Sequence, residues 1–214
     1  RASPKPGMTT TRLSGLYAVT PDLADTADLA RRVRAALRGG ARLLQFRCKT
    51  ADAARRRCQA DAVLAACREF GAALIVNDDL ALALAVGADG VHLGADDGDL
   101  AAARAALGPR RLLGVSCYAD PARAGEARRC GADYVAFGSF FASATKPAAV
   151  RAPLRILTDA RQDLDLPLAV IGGITLANAP LLIEAGADLL AVVSDLFEAP
   201  DIAARAAAFT QLFS

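Results

Sequence analysis

A tripeptide, Gly-Ala followed by one variable residue, recurs five times: Gly40-Ala41-Arg42, Gly71-Ala72-Ala73, Gly87-Ala88-Asp89, Gly131-Ala132-Asp133 and Gly186-Ala187-Asp188. Each copy closes a helix-like stretch that contains alanine, several of them rich in arginine as well, and leads into a short apolar run. Glycine in that place suits the left-handed backbone position that ends a helix, so the repeat reads as five helix-to-strand turns. The runs that follow lie at 43–47, 74–77, 91–93, 134–137 and 189–193, and three more of the same type, without the repeat, lie at 16–19, 112–115 and 168–171. Their continuous apolar character is that of strands buried on both faces. Helical stretches, for example 27–37 and 51–70, separate them. Eight strand–helix units in 214 residues predict an α/β chain folded as a single (β/α)8 barrel over residues 13–214. Residues 1–12, rich in Pro, Ser and Thr, are expected to be a disordered tail or a vector-derived remnant. A doubly wound open sheet is the alternative, but the first strand–helix turn, Thr20-Pro21-Asp22-Leu23, lacks a glycine-rich dinucleotide fingerprint.

Composition narrows the partners. With 54% hydrophobic and 22% charged residues the chain can bury a large core. A formal charge of +2, arginines scattered along helix faces, no Trp and 5% aromatics give no footprint for nucleic acid. No apolar run reaches the roughly 18–20 uncharged residues of a membrane helix, so no membrane association is expected. Five cysteines (Cys48, Cys58, Cys67, Cys117 and Cys130), with no C-x-x-C pair, argue against a disulfide framework or zinc ribbon and fit a reducing cytoplasm. A homo-oligomer is left open.

In a barrel of this kind the chemistry sits on the loops after the strands, so the residues at each strand exit are the test. The second strand leaves through Gln45-Phe46-Arg47-Cys48-Lys49, and strand alternation would point Gln45, Arg47 and Lys49 the same way. Two cations and an amide suit a phosphate, which the arginine fork and a lysine point charge both favour. The third and fourth exits, Asn77-Asp78-Asp79 and Gly94-Ala95-Asp96-Asp97, bring acids together. Helix capping accounts for Asp79 or Asp96. Asp78 and Asp97 would then make a partial shell for Mg²⁺, which takes one or two carboxylates plus substrate phosphates. The fifth exit offers Ser116. His92, the sole histidine, reads as a packed core residue with no nucleophile beside it, which argues against Ser–His–Asp hydrolysis. The sixth exit carries Ser143, Thr145 and Lys146, the seventh Gly172-Gly173, and the eighth Val193-Ser194-Asp195, where barrels of this kind commonly hold phosphate. The chain has only three lysines, and two of them, Lys49 and Lys146, stand at these exits.

Taken in order, Q-F-R-C-K, I-V-N-D-D, G-V-H-L-G-A-D-D, G-V-S-C, F-G-S-F-F-A-S-A-T-K, I-G-G-I-T and A-V-V-S resemble the thiamine-phosphate synthase family, over residues 15 to about 213. The resemblance implies a small-molecule transferase that joins hydroxymethylpyrimidine diphosphate to hydroxyethylthiazole phosphate with loss of diphosphate. It implies a pyrimidine diphosphate site at Gln45, Phe46, Arg47, Cys48, Lys49, Asn77, Ser116 and Lys146. Among these, Arg47, Lys49, Ser116 and Lys146 would act in catalysis, with Mg²⁺ on Asp78 and Asp97. It implies a thiazole phosphate site at Ser143, Ala144, Thr145, Gly173, Val193 and Ser194. The chain departs from the family's usual sixth loop in having Ala142 where a proline is common, which removes a φ restraint. A thiazole tautomerase-like paralogue and another phosphate-handling barrel enzyme are the competing readings.

Overall fold

The computed structural model describes residues 13–142 and 150–214. Residues 1–12, expected as a tail, and Ser143, Ala144, Thr145 and Lys146 of the sixth exit lie outside the described residues. Eight parallel strands close into a barrel in sequence order: β1 (Gly15–Val19), β2 (Leu43–Phe46), β3 (Ala73–Asn77), β4 (Gly90–Leu93), β5 (Leu112–Tyr118), β6 (Tyr134–Gly138), β7 (Leu168–Ile171) and β8 (Leu189–Val192). The helices around them are α1 (Thr26–Arg38), α2 (Ala53–Glu69), α3 (Leu80–Val86), α4 (Leu100–Leu107), α5 (Pro121–Arg129), α6 (Arg155–Asp163), α7 (Ala179–Glu184), α8 (Ser194–Phe197) and α9 (Ile202–Gln211). None of the described helices is long and apolar enough to cross a membrane.

Strand alternation divides the apolar residues into two layers. Leu44, Phe46, Val76, Leu93, Val115 and Phe137 turn outward into the core beneath the helices. Tyr17, Val19, Leu43, Ile75, Tyr134, Ala136, Ala169, Leu189 and Ala191 fill the barrel itself. Six helices start on an aspartate whose carboxylate accepts backbone N–H groups of the first turn: Asp25, Asp52, Asp79, Asp99, Asp120 and Asp201. Asp79 is therefore a cap as expected, but at α4 the cap is Asp99, not Asp96, because the helix begins at Leu100.

The Gly-Ala-x repeat behaves as its composition predicts. Gly40, Gly71, Gly87, Gly131 and Gly186 all have positive φ, from +62° to +108°. Its third residue has a job that periodicity alone does not reveal. Where it is aspartate, the carboxylate accepts the backbone N–H at the start of the preceding strand and an arginine from the helix before that. Asp89 Oδ2 is 2.7 Å from Leu74 N and 2.8 Å from Arg68 Nη1. Asp133 Oδ2 is 2.9 Å from Leu113 N and 2.5 Å from Arg104 Nη2. Asp188 Oδ2 is 2.8 Å from Leu168 N and pairs with Arg161. Three identical clamps thus join β3 to β4, β5 to β6 and β7 to β8 at the end of the barrel where the strands begin.

Candidate active site

At the opposite end, the strand exits surround a cavity of about 920 Å³, within the range of small-molecule sites. Gln45, Arg47, Asn77, Ser116, Gly173, Val193 and Ser194 line it. The exits of β2, β3, β5, β7 and β8 thus converge there as the barrel geometry requires, while Lys49, Asp78 and Asp97 stand beside the lining.

The second exit is tied to the first. Thr20, fully buried, accepts the Arg47 N–H through Oγ1 at 2.9 Å and donates to the Arg47 carbonyl at 3.1 Å. The Asp22 carboxylate accepts from Arg47 Nη1 at 2.9 Å and from Lys49 N at 2.6 Å. Regular strand pairing ends at Phe46, so alternation holds for Gln45 but no longer sets Lys49, whose ammonium swings across to Asp78. Alternation also decides where Phe46 goes. Phe46 is 1% exposed and turned into the outer core, so its side chain packs under the helices and only its backbone faces the loop. Cys48 likewise packs against that core.

Asp78 and Asp97 are neighbours, as expected of acids on adjacent exits. Asp78 sits at φ +62°, a left-handed position that Asp tolerates better than most residues. Asp97 turns back to accept the Gly94 N–H at 2.7 Å. A Cβ on Gly94 would stand 2.7 Å from that carboxylate, so a larger residue there would push the Asp97 side chain aside. Burial and the adjoining Asp78 carboxylate hold the Asp97 carboxyl above its ordinary value. Burial would raise Asp78 too, but hydrogen bonds to Lys49 and Asp97 bring it below its ordinary value. Two carboxylates that adjoin in this way are a donor set a divalent cation fits, since the cation relieves their repulsion. Among the described residues no group of three or more His, Cys, Asp or Glu side chains converges, so further ligands would come from substrate or water.

The barrel interior holds a polar chain that strand-exit reasoning missed. Gln45 Nε2 donates to the Tyr17 hydroxyl at 2.7 Å, the Tyr17 and Tyr134 hydroxyls are 2.6 Å apart, and Tyr134 lies 3.1 Å from His92 Nδ1. His92 Nε2 is 2.8 Å from Ser116 Oγ. His92 is buried, as expected, but the expectation that no nucleophile adjoins it is overturned: inward-facing positions of β4 and β5 bring it against Ser116. The imidazole's other nitrogen meets a phenol rather than a carboxylate, so no triad is present. Burial pushes both phenols well above their ordinary value, and both keep their protons. Ser116 is also held through its backbone. Arg123 donates to the carbonyls of Ser116 and Gly94, both at 2.7 Å, locking the β4 and β5 exits together.

On the far side, Gly172 (φ +107°) and Gly173 (φ +63°) pass close to the sixth exit: a Cβ on Gly173 would lie 2.2 Å from the Ala142 carbonyl oxygen. Arg205, from α9, lines the same cavity and pairs with Asp195 at 2.6 Å. Asp22 and Thr20 could have been found by applying the strand-exit rule to the first strand. Tyr17 and Tyr134 gave no such signal, because a tyrosine in an apolar run reads as core, and Arg205 lies far along the chain from any exit.

The sequence profile of the thiamine monophosphate synthase family matches residues 16–196. A thiamine-phosphate synthase of Aromatoleum aromaticum is 61% identical over 206 residues, covering 96% of this chain and 99% of the relative. One from an Azoarcus species is 58% identical, covering 95% and 98%. The solved structure of thiamine phosphate pyrophosphorylase from Pyrococcus furiosus superposes with a TM-score of 0.83 at 30% identity, covering 94% of this chain and 96% of that one.

Proposed function

The chain belongs to the thiamine monophosphate synthase family, and from this premise we propose that it joins hydroxymethylpyrimidine diphosphate to hydroxyethylthiazole phosphate, giving thiamine phosphate and diphosphate. The observation that carries the reading is the convergence of Gln45, Arg47, Asn77 and Ser116 on one cavity, with Lys49 paired to Asp78 and Asp97 adjoining it at the neighbouring exits of β2 to β4. The bond between the pyrimidine methylene and the diphosphate oxygen breaks, and its electron pair leaves on the diphosphate. The thiazole nitrogen then uses its lone pair to form the new C–N bond. That nitrogen carries no proton to remove, so the reaction needs charge stabilisation and placement, and no general base.

The residues divide along those lines. Arg47 and Lys49, with Gln45, Asn77 and Ser116, hold the pyrimidine diphosphate, and Lys146, outside the described residues, is assigned to the leaving group by its motif alone. The pairs Arg47–Asp22 and Lys49–Asp78 keep both cations in place at the mouth before the anion arrives. Gly173, Val193 and Ser194, with Ser143, Ala144 and Thr145, take the thiazole phosphate. Asp78 and Asp97 would hold Mg²⁺, which when bound neutralises charge on the departing diphosphate. The enzyme is expected to work in the cytoplasm.

Incubating the purified protein with both substrates and Mg²⁺ should yield thiamine phosphate, read by oxidation to fluorescent thiochrome phosphate. Absence of product, with thiazole phosphate still bound, would instead favour a thiazole tautomerase-like activity. Within this site, Gly173→Ala should raise KM for the thiazole phosphate at least tenfold. The left-handed backbone costs a non-glycine residue about 1–2 kcal/mol before any clash, and the added carbon would meet a backbone oxygen. KM for the pyrimidine diphosphate should stay within about twofold, because that substrate's contacts lie across the cavity. Equal changes in both would show that Gly173 serves the whole site and not the thiazole end.

A further inference from the structure

We propose that Tyr134 and His92 are positioning residues which fix the polarity of the buried hydrogen-bond chain, so that Ser116 acts as a hydrogen-bond donor to the pyrimidine diphosphate and not as a nucleophile. The proposal rests on the synthase reading for the ligand's identity, but the chain's polarity follows from the orientation of the Gln45 amide and the donors and acceptors beyond it. Gln45 presents an amide N–H to Tyr17, so the Tyr17 oxygen accepts and its own hydrogen must go elsewhere. Among the described residues the neighbour placed to take it is the Tyr134 oxygen, at 2.6 Å. Tyr134 then gives its hydrogen to His92 Nδ1. An imidazole that accepts at Nδ1 carries its proton on Nε2, and that proton points at Ser116 Oγ. The serine oxygen has accepted, so its hydroxyl hydrogen is available to the cavity.

Running the chain the other way would leave the Tyr17 hydroxyl hydrogen without a partner in a fully buried site, which is costly. The opposite polarity would also turn Ser116 toward His92 and make its oxygen electron-rich. That suits attack on an acyl or phosphoryl centre and is wrong beside a departing anion. The barrel is shaped for this chain. A Cβ on Gly114 would fall 2.1 Å from the Tyr134 ring and 2.6 Å from His92 Nδ1, so glycine there leaves the space in which the two rings lie nearly parallel at 5.6 Å.

Because His92 is the only histidine in the chain, ¹⁵N-histidine NMR of the untagged protein reads its tautomer without assignment. The Nε2–H form is expected, and an Nδ1–H form would overturn the proposal. In Tyr134→Phe the Nδ1 acceptor loses its donor. The tautomer should become mixed, and kcat/KM for the pyrimidine diphosphate should fall about tenfold, with KM for the thiazole phosphate unchanged. Unchanged tautomer and unchanged kinetics would refute a positioning role. His92→Gln keeps an amide N–H able to reach Ser116 and should retain more activity than His92→Leu. Equal activity of the two would also refute it. Should the wild-type protein make no thiamine phosphate, the synthase reading fails, yet the tautomer still reports on the chain.

Discussion

Asp78→Asn is expected to lower the rate of thiamine phosphate formation by roughly 10²- to 10³-fold, the scale seen when one group stabilising transition-state charge is removed, without unfolding the barrel. Asparagine is the suitable replacement because the residue sits at φ +62° and Asn, like Asp, tolerates that region. The backbone bond from Asp78 N to the His92 carbonyl, 2.8 Å, is also untouched by the change. What disappears is one negative charge facing Asp97 and Lys49. A cation held at Asp78 and Asp97 would lose one of its two carboxylates, and the Mg²⁺ concentration for half-maximal rate should rise at least tenfold. Lys49 loses its partner at the same time, so Asp78→Asn should weaken pyrimidine diphosphate binding less than it slows turnover. Titrating Mg²⁺ against initial rate in both proteins checks this. Identical Mg²⁺ dependence would remove Asp78 from the ligand set.

The largest effect on stability is expected at the other end of the barrel, from Asp133→Ala. That carboxylate, 14% exposed, serves the Leu113 N–H and the Arg104 guanidinium together. Alanine leaves the Leu113 N–H and the Arg104 Nη2 without their carboxylate, while the guanidinium keeps the carbonyls of Gly108, Arg111 and Gly131, and loss of one partner from such a partly buried pair costs about 2–4 kcal/mol. For a chain of this size each kcal/mol is worth about 2–4 °C, so the melting temperature should drop by roughly 4–16 °C. Asp133→Asn keeps an acceptor for Leu113 and should lose less. Since none of these groups lines the cavity, kcat measured well below the melting temperature should be unchanged. Thermal unfolding followed by circular dichroism, alongside the thiochrome assay, separates the two. A fall in kcat without a fall in melting temperature would contradict this division of labour.

The sequence made the strands legible for a physical reason: parallel strands buried on both faces must be short and apolar, and five of the eight are introduced by a turn that favours glycine. The exits of β2 to β5, β7 and β8 were legible because polar groups at the ends of such strands have few other reasons to be there. Lys49 shows where that logic stops. Alternation governs direction only while the strand persists, and pairing ends at Phe46, so the lysine's partner was not readable. The aspartate caps were readable as a class but not individually, since Asp96 and Asp99 compete for one helix start and only the chain's path decides. The Tyr17–Tyr134 contact joins residues 117 apart in sequence, and nothing local distinguishes a tyrosine that will meet another hydroxyl from one that fills space. The role of Gly114 is legible only once the ring it accommodates is known.

The three aspartate clamps have a consequence for how such a chain can change over time. Each is contained in a contiguous stretch: α2 to β4, α4 to β6 and α6 to β8. Each stretch therefore carries its own fastening within itself and asks little of its neighbours beyond strand pairing. Insertion, duplication or exchange of such a unit would bring the fastening along with it. Because the fastenings lie where the strands begin and the ligand groups where they end, the loops over the cavity can vary without disturbing what closes the cylinder. A lineage built this way is free to try new substrates on an old foundation.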